Sequence, residues 1–297
     1  MKGIILAGGA GTRLYPMTQI ISKQLLPIYD KPMIFYPLSL LMLAGISDVL
    51  IISTERDTPY IKNLLGDGSD FGVKLSYKVQ AAPNGLAEAF ILGEDFIGND
   101  DVTLILGDNL FYGDISFFKD AVTLQKSRKT EFKARVFGYY VEDARRYGVV
   151  EFDKPTGKVF SIEEKPLEPK SNYAIPGLYI FDSRCVERAK NQKPSPRGEL
   201  EIVDLMKTYL VDNELGVTTI GRGVNWLDTG TPDSLLDAGQ LIATTQKRQG
   251  LMIGCIHEIG LRKGFVTAEK FEAVVKALPK GPYRSYLERV KDEQADL

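Results

Sequence analysis

The segment LAGGAGTRLYP, residues 6–16, follows directly on the apolar run that opens the chain, and it points to the fold class. Gly8, Gly9 and Gly11 end a predicted buried strand, and Arg13 stands two positions later. Glycine allows positive φ and close approach of a ligand, so successive amides in such a loop form a concave anion nest. Arg13 adds a permanently charged planar group that suits phosphate oxygens. The segment is neither a Walker A loop nor a complete G-x-G-x-x-G fingerprint, so alone it indicates either an anion site or an unliganded turn.

Strand-like and helix-like segments alternate through the first half of the chain. After the opening strand, the predicted strands cover 48–53, 73–80 and 101–108, and the predicted helices cover 32–45, 58–66 and 85–97. This alternation predicts an α/β fold with a doubly wound, mostly parallel, Rossmann-like sheet. Ligands of such sheets bind outside the carboxyl ends of the strands, where the glycine loop and the segment LGDN (106–109) both fall.

The pattern changes after about residue 130. Strand-like segments come first, followed by a predicted helix over 198–213, a strand over 216–221 and a mainly helical stretch from about Pro232. We therefore expect one α/β body with an inserted mixed α/β region and a helical C-terminal segment.

Composition and charge exclude several classes of function. With 37 basic and 39 acidic residues the formal net charge is −2, so we expect no nucleic-acid or membrane partner, and any anion site must be local. No apolar stretch approaches the ~20 residues of a membrane span. Cys185 and Cys255 match no metal spacing and indicate free thiols in a reducing cytoplasm. The single histidine, His257, has no zincin partner and no G-x-S-x-G serine, so the chemistry is expected to use carboxylates, lysines, arginines and backbone amides.

Several polar side chains elsewhere complement the glycine loop. They are Lys23, Gln24, Asp108, Glu164, Lys165, Trp226 and Asp228. Asp108 and Asp228 offer two hard oxygen ligands for Mg²⁺, which binds few carboxylates together with substrate phosphates. Each residue alone also fits a turn, a helix cap or a solvated surface, but the combination indicates a phosphate and metal site.

Five strings in the sequence resemble the sugar nucleotidyltransferase family. They are GGAGTRL (8–14), SKQLLPIYDKPMIFYPL (22–38), GDN (107–109), EEKP (163–166) and WLDTGT (226–231). The first is highly specific, and the second narrows the resemblance to the thymidylyl branch. The resemblance extends from Met1 to about Leu287.

The resemblance implies an Mg²⁺-dependent reaction of dTTP with α-D-glucose 1-phosphate that yields dTDP-glucose and pyrophosphate. This is the first step toward dTDP-L-rhamnose and related deoxysugars. A phosphate monoester oxygen is already ionised, so an in-line attack on the α-phosphorus needs positioning and cations and no general base. The resemblance also implies a cytoplasmic homotetramer with dTDP-rhamnose as a candidate feedback effector.

The resemblance assigns a role to each matching position. The catalytic residues would be Arg13, Lys23, Asp108, Lys165 and Asp228, of which Asp108 and Asp228 would bind Mg²⁺. The nucleotide would contact Gly8, Gly11, Thr12, Arg13, Gln24, Gln80, Pro83, Gly85 and Asp108. The sugar phosphate would contact Asn109, Gly148, Glu164, Lys165, Ile175, Tyr179, Arg197 and Trp226. A single domain over 1–297 would then comprise a nucleotide-binding core (1–130), a sugar-binding region with the second metal ligand (131–230) and a helical segment with oligomer or regulatory contacts (231–297).

Gln80 is the expected reader of the base. Its amide carries both a donor and an acceptor, so it can pair with O4 and N3–H of thymine. Uracil presents the same edge, and one methyl group contributes only ~1–3 kcal/mol to discrimination. We therefore expect partial use of UTP or dUTP.

One position departs from the family pattern. Asp114 follows FYG (111–113), where many relatives have a histidine, near a second, regulatory nucleotide site at a subunit interface. Gly221 and Arg222 are further candidates for that site. The departure bears on feedback inhibition and not on catalysis.

Other functions stay open at this point. A nucleotidyltransferase that uses UTP would share the motifs. A metal-dependent glycosyltransferase would use similar carboxylates but typically carries D-x-D, which is absent near LGDN, and it releases no pyrophosphate. A non-catalytic nucleotide-binding subunit tends to lose the carboxylates and the lysine retained here. A dinucleotide oxidoreductase would need the missing glycine fingerprint.

Overall fold

Ten strands form one mixed sheet at the centre of the computed structural model, which describes residues 1–9 and 11–295. Ala10 of the glycine loop and the last two positions of the predicted C-terminal segment lie outside the described residues. The strands are β1 (Lys2–Ala7), β2 (Pro27–Ile28), β3 (Lys31–Pro32), β4 (Asp48–Ser53), β5 (Lys74–Val79), β6 (Val102–Leu106), β7 (Asn109–Tyr112), β8 (Ala134–Tyr140), β9 (Gly148–Phe152), β10 (Val159–Glu164), β11 (Tyr173–Ile175), β12 (Leu178–Phe181), β13 (Leu215–Thr219) and β14 (Asn225–Asp228). The helices are α1 (Phe35–Leu43), α2 (Thr58–Leu65), α3 (Glu88–Leu92), α4 (Glu94–Ile97), α5 (Ser116–Lys126), α6 (Cys185–Lys190), α7 (Ile202–Val211), α8 (Pro232–Gln249), α9 (Ile256–Arg262), α10 (Ala268–Ala277) and α11 (Pro282–Ala295).

The strand order places an open crevice at the centre of the sheet. The order is β10-β9-β11-β8-β12-β6-β1-β4-β5, with β13 paired to β8. β6, β1, β4 and β5 run parallel, as the alternating sequence pattern predicts, and β12 lies antiparallel between β6 and β8. The chain leaves β1 toward β4 and β5 on one side and returns to β6 on the other. The carboxyl ends of β1 and β6 therefore flank a topological switch point, where such sheets bind ligands.

Both faces of the parallel strands are buried. Ile4 and Leu6 of β1 pack in one core with α3, α6 and α7, whereas Ile5 and Ala7 pack in the other with α1 and α5. Successive side chains of a strand point to opposite faces, so a strand covered on both sides must be apolar at almost every position. This explains the continuous apolar runs in the sequence.

Two details differ from the predicted elements. The single helix predicted over 85–97 is wrong, since α3 and α4 are separated at Gly93. A Cβ on Gly93 would lie 3.2 Å from Ile4 Cδ1 and 3.3 Å from Leu50 Cδ2, so the chain passes close over the sheet at this break. The antiparallel pair β7–β14 has no counterpart among the predicted elements, yet it sets Asp228 opposite Asn109.

The C-terminal segment is helical from Pro232, as predicted, and forms α8 to α11. Phe271, Leu287 and Val290 belong to a separate small core, which also contains the free thiol of Cys255. Within the described ranges, the helices are too short or too polar to cross a membrane.

The single histidine packs in this region and not at the central crevice. The His257 ring meets the Phe71 ring edge-on with 5.6 Å between centroids, and Nδ1 lies 2.9 Å from the Tyr283 hydroxyl. Burial lowers the pKa of His257 from 6.5 to about 4, although the charge of Asp70 acts in the opposite direction. The neutral ring is therefore part of the packing.

We expect His257→Gln to flatten the acid side of the stability profile. Between pH 6.5 and pH 4 the unfolded chain binds a proton at this histidine that the folded chain does not, so stability is present above pH 6.5 and is lost as pH falls through this window. The histidine contributes about 2–3 kcal/mol to that loss. Chemical denaturation at several pH values measures it, and equal slopes for the two proteins would contradict the assignment.

Candidate active site

A cleft opens at the carboxyl ends of β1 and β6. Its lining is formed by Leu6, Gly8, Gly9, Lys23, Gln24, Gln80, Pro83, Gly85, Leu86, Leu106, Asp108 and Glu199. The structure thus brings together most positions that the resemblance assigns to the nucleotide. Gln24 is 1% exposed, and its Nε2 has no hydrogen-bond partner among the described residues. A buried donor of this kind is costly unless a ligand or water completes it.

Gln80, directly after β5, lies at one end of this cleft. Its Nε2 donates to the carbonyl oxygen of Gly85 at 3.2 Å and to Glu88 Oε2 at 2.7 Å. Its Oε1 lies 3.0 Å from the position of a Cβ on Gly8. Both amide hydrogens of Gln80 are engaged within the protein, so only its Oε1 is left to accept a hydrogen bond from a base. The two-point pairing with thymine that the sequence analysis expects is therefore not available in this conformation of Gln80.

Residues 195–201, here called the covering segment, pack against the loop that follows Gln80. The Leu200 N–H donates to the Asn84 carbonyl at 2.7 Å, and the Leu200 carbonyl accepts from the Ala87 N–H at 3.1 Å. Gly85 has φ 103°, and a Cβ there would lie 2.4 Å from the Leu200 oxygen. Only glycine allows this approach, which holds Glu199 at the cleft.

The glycine loop and Arg13 form the other end of the site. Gly9 and Gly11 have φ values of 99° and 59°, and a short 3-10 turn over Thr12–Leu14 carries Arg13 outward. A Cβ on Gly230 would lie 2.5 Å from Arg13 Nη2 and 3.0 Å from Asp228 Oδ1. The guanidinium therefore stands next to the Asp228 carboxylate.

Asp108 and Asp228 lie close together at the ends of neighbouring chain segments, because β14 pairs with β7. Thr229, directly after β14, donates two hydrogen bonds to the carbonyl of Asp108, which lies between β6 and β7. The N–H bond is 3.1 Å long and the Oγ1 bond 2.8 Å, and together they fix the end of β14 beside Asp108. Lys23 Nζ forms an ion pair with Asp108 Oδ2. Burial alone would raise the pKa of Asp108, but the Lys23 ammonium outweighs it, so the net pKa lies below the ordinary value.

The electrostatics of Asp228 differ from those of Asp108. Burial and then the negative charge of Asp108 raise the pKa of Asp228, and the positive charges of Arg13, Lys23 and Arg146 offset part of this shift. A buried carboxylate that raises the pKa of a half-buried one beside it indicates a place for a cation.

The predicted sugar-phosphate residues adjoin the carboxylates on the side of β9 to β12. Asn109 Oδ1 accepts hydrogen bonds from Trp226 Nε1 at 2.6 Å and from the Gly177 N–H at 3.0 Å. A Cβ on Gly148 would lie 3.3 Å from Glu164 Oε2 and 3.7 Å from Ile175 Cδ1, so these three positions form one wall. Asn109 and the Glu164 carboxylate thus both lie on the β9 to β12 side of the site.

Two further sugar-side residues lie around Glu164. Tyr179 is buried, and burial followed by the charges of Glu164 and Asp108 raises the pKa of its hydroxyl. Lys165 Nζ lies 3.1 Å from Glu164 Oε1. The backbone of Lys165 has a φ of 45°, and this conformation is stabilised by the hydrogen bond that its N–H donates to the Tyr147 carbonyl. A lysine in this conformation is strained, and such strain is typical of functional positions.

Arg197 is engaged within the covering segment, where its hydrogen bond to Glu201 and, to a smaller extent, the charge of Glu164 raise its pKa. Its Nη2 donates to Glu201 Oε1 at 2.8 Å, lies 3.7 Å from Glu199 Oε2, and 57% of its side chain is exposed. The covering segment would have to release this contact before Arg197 could bind a phosphate.

Three residues of the site were given no role by the sequence analysis. Arg146 contributes charge at Asp228, Gly230 admits the guanidinium of Arg13, and Glu88 holds Gln80. The paired arginines before the strand at 148 were a visible signal for Arg146. Nothing in the sequence marks Glu88, and Gly230 lies in the WLDTGT string without an assigned role, because the contacts of both residues depend on side chains that the fold brings near.

Gly230→Ala is expected to lower kcat/KM of the nucleotidyl transfer expected from the sequence by about 10- to 100-fold. The new methyl group displaces the Arg13 guanidinium, and a small misplacement of a catalytic group reduces the rate by this much. The melting temperature should stay unchanged, since the displaced atoms are the free end of a long side chain. Gly239→Ala in α8, where a Cβ has 3.8 Å to its nearest neighbour, is the matched control. Equal activity of the two variants would contradict the placement of Arg13.

Comparisons with known proteins identify the family of the chain. A family model described as nucleotidyl transferase matches residues 2–245. A glucose-1-phosphate thymidylyltransferase of Neisseria meningitidis is 55% identical over 290 residues, covering 98% of this chain and 99% of the relative. The enzyme of that name from Mycolicibacterium smegmatis is 50% identical over 294 residues, covering 99% and 100%.

A solved structure of a more distant enzyme shares the architecture. UDP-glucose pyrophosphorylase in complex with UDP-glucose superposes with a TM-score of 0.72 at 26% identity, covering 82% of this chain and 98% of that one. The strand-end cleft, the paired aspartates and these matches lead to one conclusion: the chain belongs to the nucleotidyl transferase family.

Proposed function

We propose that the protein transfers the thymidylyl group of dTTP to α-D-glucose 1-phosphate and releases dTDP-glucose and pyrophosphate. A phosphate oxygen of the sugar phosphate forms a bond to the α-phosphorus, the bond from that phosphorus to the β-phosphate bridging oxygen breaks, and its electron pair leaves with pyrophosphate. No proton has to move. The observation that carries this proposal is the convergence of Arg13, Lys23, Asp108 and Asp228 at one end of the cleft.

The residues fit a bound Mg²⁺ ion held by Asp108 and Asp228. Burial and then the negative charge of Asp108 raise the pKa of Asp228, and a cation between the two carboxylates would offset that repulsion. The described residues contain no group of three or more His, Cys, Asp and Glu side chains arranged for a metal, which suits an ion that keeps substrate phosphates and water as ligands. When bound, Mg²⁺ supplies positive charge to the phosphate oxygens.

The side chains divide the remaining tasks. Arg13 binds the departing pyrophosphate with a planar fork that matches two oxygens. Lys23 adds charge beside it, and Lys165 holds the attacking phosphate. Glu164 accepts hydrogen bonds from sugar hydroxyls above the buried Tyr179. Because both reactants are polyanions, fixed cations in a partly dry cleft stabilise the transition state more than water could.

We further propose that a regulatory nucleotide sugar, with dTDP-rhamnose as the candidate, binds beside residues 112–114 in a homotetramer. A second cavity there is lined by Tyr112, Gly113, Arg262 and Lys263. Asp114 Oδ1 and Oδ2 accept from the N–H and hydroxyl of Ser116, both at 2.9 Å, and these bonds lower its pKa. An ionised carboxylate here opposes an anionic effector, so we expect weaker feedback than with a neutral side chain. Inhibition of pyrophosphate release by dTDP-rhamnose measures the feedback, and analytical sedimentation measures the oligomeric state.

Pyrophosphate release tests the catalytic proposal directly. The purified protein is incubated with Mg²⁺, glucose 1-phosphate and, separately, dTTP, dUTP, UTP, dCTP, CTP or ATP. We expect dTTP to be the best substrate with partial use of dUTP and UTP. Higher rates with ATP or CTP would contradict base reading by Gln80, and no release with any nucleotide would exclude the reaction in favour of a glycosyltransferase or a binding subunit.

A further inference from the structure

We propose that Glu88 is a positioning residue that orients the Gln80 amide and thereby makes the cleft select pyrimidines with a protonated ring nitrogen, the N3–H of thymine and uracil. This inference rests on the proposed nucleotide site. Glu88 does not line the cleft itself, so it acts through Gln80. It lies in the first turn of α3, eight positions after Gln80.

The Glu88 carboxylate is held from two sides. Its Oε2 accepts from Gln80 Nε2 at 2.7 Å, and its Oε1 accepts from Asn84 Nδ2 at 2.8 Å. The Gly85 carbonyl, whose position is set by the contact of that loop with Leu200, lies 3.2 Å from the same Gln80 nitrogen. The carboxylate and this carbonyl therefore form an acceptor pair around one end of the Gln80 amide.

The acceptor pair determines which end of the amide meets the ligand. A flipped Gln80 would turn its oxygen against the Gly85 carbonyl and the Glu88 carboxylate, with no hydrogen between the three oxygens. Gln80 is 7% exposed, so water cannot relieve this conflict fully. Oε1 is therefore held beside Gly8 as an acceptor facing the cleft.

An acceptor at this point distinguishes pyrimidines by chemistry. Thymine and uracil carry N3–H and can donate to Oε1. Cytosine in the same pose presents the lone pair of N3, so two acceptors meet. A hydrogen bond to a charged group is stronger than one to a neutral group, so the bond to the Glu88 carboxylate keeps the Gln80 amide from flipping. Glu88 thereby provides the selectivity.

The experiment compares the binding of dTTP and dCTP to wild-type protein, Glu88→Ala and Glu88→Gln by calorimetry, with Mg²⁺ and without sugar phosphate. We expect Glu88→Ala to reduce the affinity ratio of dTTP to dCTP by about tenfold, the worth of a charged hydrogen bond. Glu88→Gln keeps an acceptor oxygen and should restore part of the ratio. Glu94→Ala in α4, an exposed glutamate paired with Lys190, is the matched control and should leave the ratio unchanged.

Two further readouts separate orientation from general damage. N3-methyl-dTTP lacks the donor, so wild-type protein should bind it much more weakly than dTTP, and Glu88→Ala should narrow this gap. In turnover, the loss should appear in KM for dTTP, with kcat and KM for glucose 1-phosphate unchanged. An unchanged dTTP to dCTP ratio in both Glu88 variants would overturn the inference. Absence of turnover in the wild type would instead refute the proposed function, because the binding ratio is measured without catalysis.

Discussion

Arg13→Ala is expected to lower kcat/KM by about 10²- to 10³-fold while the melting temperature stays within a few degrees of the wild type. The guanidinium lies beside Asp228 at the end of the cleft, and in the proposed reaction it binds the charge that develops on the departing pyrophosphate. Removal of one preorganised charge-stabilising group typically has an effect of this size. Arg13 is an exposed residue, which is why stability should persist.

Steady-state kinetics with varied dTTP and glucose 1-phosphate measure this prediction. Arg13→Lys keeps the charge but loses the planar fork, so its activity should lie between those of the wild type and the alanine variant. Arg248→Ala, an exposed arginine of α8, is the control for loss of positive charge in general. If Arg13→Ala retained more than about a third of wild-type kcat/KM, the assignment of Arg13 to pyrophosphate would be wrong.

The parallel half of the sheet could be predicted from sequence because its signals are local. β1, β4 and β6 are apolar runs closed by glycine or polar residues, and α1 begins near a proline and ends before a glycine. Strand ends in such a sheet share one edge, so the glycine loop and Asp108 were expected to meet. That expectation needs no knowledge of side-chain packing.

The relations around Asp228 could not be predicted in the same way. Asp228 reaches Asp108 through the pairing of β14 with β7, two short strands more than a hundred positions apart in sequence. Pairings at this distance leave no periodic signal in four residues. The contact between Glu88 and Gln80 depends on the turn at Gly85, whose conformation is set by Leu200 of the covering segment. Motif resemblance named the individual residues, and the fold supplied their orientation.

Asp228→Asn is expected to reduce kcat by at least about 10²-fold and to raise the Mg²⁺ concentration needed for half-maximal activity. The amide keeps the shape of the side chain but removes one of two charged oxygen ligands, and neutral ligands bind Mg²⁺ less strongly. The melting temperature without Mg²⁺ should stay equal or rise, because the substitution ends the repulsion that raises the pKa of Asp228 beside Asp108. A purely structural role would predict the opposite change in stability.

Activity assays over a Mg²⁺ titration, together with thermal melts in EDTA, test both parts of this prediction. Asp237→Asn, an exposed aspartate on α8, removes the same charge away from the crevice and should change neither the Mg²⁺ midpoint nor kcat. A variant with reduced kcat but an unchanged Mg²⁺ midpoint would show that Asp228 acts on Arg13 alone, since the guanidinium is its other close partner. A variant with both parameters unchanged would remove Asp228 from the catalytic site, because loss of a charged Mg²⁺ ligand must change the Mg²⁺ midpoint, kcat or both.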